Sequence, residues 1–98
     1  MKKVDFDRRL VDLDGHALPF GGKQIAHLKD IVSHALLKAT DANGDGPEMH
    51  ARYKLAKRVK KGGDVALDDA DLQRIQRCAG ACLTTIAVGI VFEMLEDG

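Results

Sequence analysis

With 98 residues the chain is long enough for one domain and one hydrophobic core, and too short for two. Fifteen basic residues stand against fifteen acidic ones, so the whole molecule exerts no net pull on nucleic acid or anionic lipid. An aromatic content of only 4% alongside many alanines points to helices packed through small side chains.

The opening "MKKVDFDRRLVDLDGHALPF" mixes apolar and charged residues. Asp5, Asp7, Arg8 and Arg9 interrupt any apolar segment after "MKK", which predicts no secretory leader and favours a cytoplasmic protein. Asp14-Gly15 is a favoured hairpin turn because both residues tolerate positive φ. Strands are expected near residues 9–13 and 16–19, with Pro19 confining the second to an edge. Such a hairpin, within residues 1–20, is marginal alone and must lie on helices.

Helices are expected to fill residues 23–96. After Gly21-Gly22, the first runs from about Lys23 to Ala39, with Ile25, Leu28, Val32, Ala35, Leu36 and Ala39 on one stripe. His27, Asp30, His34 and Lys38 lie opposite. Pro47 suits the first turn of a second helix that ends at Lys61 before Gly62-Gly63 and should bury Met49, Tyr53, Leu55, Ala56 and Val59. Asp68 is the expected N-cap of a third helix, with Asp69 and Asp71 in its first turn. Leu72, Ile75, Ala79, Cys82, Leu83 and Ile86 continue one stripe, but beyond Thr84-Thr85 apolar residues surround the axis. Either the helix breaks at the threonines or its end is buried on every side. The fold expected is mainly α (α+β): one domain, residues 1–98, with an N-terminal β-hairpin on a three- or four-helix bundle.

The stretch "TDANGDGPEMHAR" opens like a calcium-binding EF-hand loop. Asp41, Asn43 and Asp45 occupy the first, third and fifth ligand positions, and Gly46 the sixth. The twelfth position, which should supply a bidentate glutamate, is Arg52. A shorter loop recruiting Glu48 is the one remaining route to a weak calcium site. An interhelical turn needs the same Asn, Asp and Gly residues for its left-handed geometry and caps, and it is the favoured reading. No cofactor is expected.

Lys54, Lys57, Arg58 and Lys61 share one face of the second helix. Four neutralised phosphates would give nucleic-acid binding a salt slope of about −3.6, yet no interleaved aromatics offer base stacking. His27 and His34 lie about 10 Å apart on one helix, too far to share a metal directly. Cys78 and Cys82 have helical ligand spacing without a neighbouring histidine, and free cysteines usually sit in a core or interface. The single serine, Ser33, has no glycine elbow, and "FGGK" lacks the spacing of a phosphate loop, so no enzyme is expected. The uncharged run Cys78 to Phe92 falls short of the roughly 20 residues that span a bilayer. Val88, Val91, Phe92 and Leu95 extend the apolar surface of the last segment, which predicts association with itself or with a protein partner.

Taken in order, "VDFDRRLVDLDGHAL", "SHALL", "RYKLAKRV", "VALDDADLQRI" and the ending "VFEMLE" resemble small uncharacterised proteins encoded among the structural genes of tailed bacteriophages and prophages. The likeness covers most of the chain and rests on patterning. It implies a protein–protein role in virion head or tail assembly, in the bacterial cytoplasm or on the virion, and transfers no active site. A small nucleic-acid-binding or regulatory protein and a weak calcium-binding domain are the alternatives.

Overall fold

A computed structural model describes residues 2–18, 26–39 and 45–97. Strand β1 (Lys2–Asp5) leads through a loop to helix α1 (Leu28–Lys38); α2 (Gly46–Lys60), β2 (Asp64–Leu67), α3 (Asp69–Cys82) and α4 (Thr85–Asp97) follow. The protein is thus mainly helical with an N-terminal strand in a two-stranded antiparallel sheet.

That strand lies earlier than the turn at Asp14-Gly15 suggests. β1 pairs with β2, Lys2 opposite Leu67 and Asp5 opposite Asp64. Residues alternate across the sheet: Val4 and Leu67 are buried, while Lys3, Asp5 and Asp64 face solvent. Gly62 and Gly63, at φ +77 and +70, turn the chain out of α2 and into β2 through a conformation that favours glycine. The Phe6 N–H donates to the Gly63 carbonyl at 2.9 Å and extends the sheet into this turn.

The Asp14-Gly15 reversal does form, but Val11 and Ala17 make its one isolated bridge. Leu10 explains the shortness. Its carbonyl accepts from Leu18 at 2.9 Å, while its N–H donates to Ala26 at 2.9 Å, so the loop closes on the entry to α1 as well as on itself. That closure also corrects the helix start. His27 is extended and pairs with Arg9. No side chain caps α1. Instead, the Leu28 and Lys29 N–H groups donate to the carbonyls of Arg8 and Phe6 at 2.8 and 2.9 Å. Pro19, Gly21-Gly22, Lys23 and Ile25 lie outside the described residues.

Helices α2 and α3 begin with aspartates. Asp45 accepts from the Glu48 N–H at 2.9 Å, and Asp68 and Asp71 form a reciprocal capping box. α1 packs against both α2 and α3, and α4 against α3 and β1. The core runs through Phe6, Leu10, Leu28, Val32, Leu55, Val59, Leu67, Ile75 and Val91.

The chain breaks at Leu83–Thr84, resolving the two readings of the apolar end. Leu83 is extended, at φ −100 and ψ 161, and the Thr84 carbonyl accepts from Val88 at 2.9 Å to start α4. The new helix direction turns Ala87, Val91, Met94 and Leu95 into the core. Val91 and Leu95 are therefore interior residues, not contact residues, and Val88 and Phe92 are half-buried. Among the described residues no helix is long and apolar enough to cross a membrane.

Candidate docking groove

Two expected core residues of α2 are not in the core. Met49 is 59% exposed and Tyr53 52%, joined by Leu37 of α1 at 56%. The reason is helix phase: Leu55, Ala56 and Val59 take the buried face of α2, which packs on α1, leaving Met49 and Tyr53 on the rim. Leu37 interrupts the polar side of α1, and that interruption was its signal in the sequence.

Leu37 and Tyr53 line a groove of about 350 Å³ between the two helices. α1 contributes Asp30, Ser33, His34 and Leu37; α2 contributes Tyr53, Ala56, Lys57 and Lys60. Each set follows the spacing i, i+3, i+4, i+7, so each is one helix stripe. A smaller recess of about 80 Å³, lined by Leu36, Leu37, Ala39, Met49, Arg52 and Tyr53, continues the apolar end. At the polar end Lys60 pairs with Asp30. The Lys57 ammonium lies 5.6 Å from the Tyr53 ring centroid, within cation–π reach. The groove offers an apolar trough with cations on one rim.

The basic face is less available than its sequence suggests. Lys54, Lys57 and Lys61 are exposed, but the Arg58 guanidinium donates to the Ala66 carbonyl at 2.6 Å and to Asp71 at 3.4 Å. It ties α2 to β2 and α3.

The calcium-like loop lies partly outside the described residues, which exclude Asp41 and Asn43. Its described carboxylates have structural partners. Asp45 caps α2, while Glu48 accepts from Arg74 at 3.0 and 3.2 Å and lies 3.5 Å from Arg52. Arg52, where the bidentate ligand would stand, is only 3% exposed. The Arg74–Glu48 link joins α3 to α2, while the Arg52–Glu48 pair lies within α2.

The carboxylates of Asp12 and Asp14 and the imidazole of His16 form a cluster that sequence reasoning passed over, their ligand-type atoms lying within 4.8 Å. Their evident work is local. The Asp12 carboxylate accepts the N–H groups of Asp14 and His16 at 2.9 Å each and so shapes the turn. Chiefly the His16 N–H, against some loss of hydration, holds the Asp12 carboxyl below its ordinary 3.8.

Cys78 is fully buried and Cys82 half-buried, and no disulfide links the two. Beside them, Leu18, Ile31, His34, Cys82, Leu83, Thr84, Ile86 and Ala87 line a second recess, of about 250 Å³. Comparison with models of known families, with curated proteins and with solved structures found no match.

Proposed function

We propose that the chain is a non-enzymatic protein-contact module that works through the α1–α2 groove, in the phage head or tail assembly setting its sequence pattern implies. One observation carries this reading: Leu37, Met49 and Tyr53, from two helices, leave more than half of their surface in water side by side. Large apolar residues clustered beside a trough and rimmed by charge are what a protein interface requires. Aromatic residues and methionine are enriched in interface cores, and a helix-lined trough suits a partner helix laid along it. Nucleic-acid binding gains less support, because Arg58 is turned back onto Ala66 and Asp71.

A photo-crosslinking amino acid at position 37, with position 61 as control, tests the reading in cells that make the protein. The expected result is a discrete protein adduct from position 37, which a second copy of the chain would also satisfy. Equal or no protein adducts from the two positions would reject it.

A further inference from the structure

The charges of this neutral chain are segregated. Of the five cations of α2, Arg52, Arg58 and Lys60 pair with Glu48, Asp71 and Asp30, while Lys54 and Lys57 stay exposed on its outer side. The sequence of α4 has no basic residue at all, and Glu93 and Glu96 are exposed on it. Net neutrality removes the long-range repulsion that otherwise keeps copies of a protein apart, and segregated charge supplies attraction between unlike faces.

The outer side of α4 has the form of a docking helix. Ala87, Val91, Met94 and Leu95 turn inward, which leaves Ile86, Gly89, Ile90 and Glu93, at i, i+3, i+4 and i+7, along the opposite stripe. Ile86 is 39% exposed, and Ile90 is half-buried, one side against the core and the other toward solvent. A Cβ placed on Gly89 would meet no atom within 4 Å, so the middle of this stripe is open and lets another backbone approach closely. One apolar stripe with carboxylates at its far end is complementary to an apolar trough with lysines on its rim.

We infer that the α1–α2 groove receives the outer face of α4 from a second copy of this chain. Ile86 and Ile90 enter the trough beside Leu37 and Tyr53, and Glu93 faces Lys57. The proposal rests on the groove being a contact surface and names its occupant. Because α4 packs on α3 and β1 while the groove lies between α1 and α2, the two surfaces are different patches of one molecule. Such a contact either closes reciprocally in a two-fold dimer, each groove holding the other copy's α4, or runs head-to-tail into a ring or a filament.

Two surface variants of the full chain test this. Leu37→Glu with Lys57→Glu disables the groove and keeps α4; Ile86→Lys with Glu93→Lys disables α4 and keeps the groove. Circular dichroism first confirms that both fold, and light scattering then reads mass against concentration. Wild type should associate to a dimer or larger and dissociate as salt rises. Each variant alone should remain monomeric. Their equimolar mixture should form a dimer that grows no further, because the two surfaces left over are both disabled. A wild type that stays monomeric, or a mixture that does not dimerise, overturns the proposal. If only the groove variant loses association, the groove pairs with something other than α4, and the proposal is again overturned while the contact reading stands. A monomeric wild type whose position 37 crosslinks a different protein separates the two claims in the same way; one whose position 37 crosslinks nothing ends both.

Discussion

Replacing Glu48 by glutamine keeps the side chain's size and removes its charge from beside Arg52 and Arg74. Arg52 shows only 4% of its side-chain surface, Glu48 18% and Arg74 27%. Removing one partner of a fully buried ion pair costs about 3–5 kcal/mol, because the other charge has already lost its water. Partial exposure of Glu48 and Arg74 reduces this to about 2–3 kcal/mol for Glu48→Gln. At ~4–8 °C per kcal/mol for a domain of this size, Tm should fall by about 10–20 °C. Urea unfolding followed by far-ultraviolet circular dichroism measures the loss as a lower midpoint at unchanged slope. Adding Arg52→Met should recover much of it, since the buried cation then disappears with its counterion. A loss below about 0.5 kcal/mol, typical of an ordinary surface change, would refute the reasoning. So would a double variant no more stable than Glu48→Gln alone.

Gly62→Ala should destabilise by about 2 kcal/mol, since φ +77 disfavours a side chain and the new Cβ would run into the Asp7 carboxylate. Gly63→Ala, with nothing within 4 Å of its Cβ, should cost only the conformational part, about 1 kcal/mol, and chemical denaturation of the pair reads the difference. Calcium at micromolar levels should leave the amide shifts of Asp45, Gly46 and Glu48 unmoved; saturable shifts there would revive the loop as a site. Duplex DNA should bind weakly at ~50 mM salt and not at ~200 mM by fluorescence anisotropy, and tight binding at the higher salt that needs Lys54 and Lys61 would favour the nucleic-acid alternative. Because the folded Asp12 carboxyl sits below its ordinary 3.8, its contribution to the turn is present above that pH and is lost as pH falls through the lowered value. The amide signals of Asp14 and His16 should shift together in that range, and Asp12→Ala should abolish the step.

Local rules carried the helical part of the sequence far. Asp45, Pro47 and Asp68 mark helix starts through backbone geometry that needs no distant partner, and Gly62-Gly63 marks a stop in the same way. The sheet was less legible because β1 meets β2 across most of the chain, and no short-range signal encodes such a pairing. The late start of α1 has the same origin: distant carbonyls, from Phe6 and Arg8, satisfy its first N–H groups. The groove was half-legible. The apolar period of α2 shows which residues belong to one side, but only the packing of α2 on α1 decides that Leu55 and Val59 are covered while Met49 and Tyr53 are not. In α4 the break at Leu83–Thr84 reassigned Val91 and Leu95 from contact surface to core.

Tyr53 is the single tyrosine of a chain without tryptophan, so its own emission reports the state of the groove. Acrylamide quenching of that emission, compared between monomer and the associated state, bears most directly on the groove as a protein-contact surface. The account predicts efficient quenching in the monomer, where Tyr53 is 52% exposed, and a several-fold smaller quenching constant once the partner is seated. Association that leaves Tyr53 as open to acrylamide as in the monomer would place the contact elsewhere on the molecule and contradict the account.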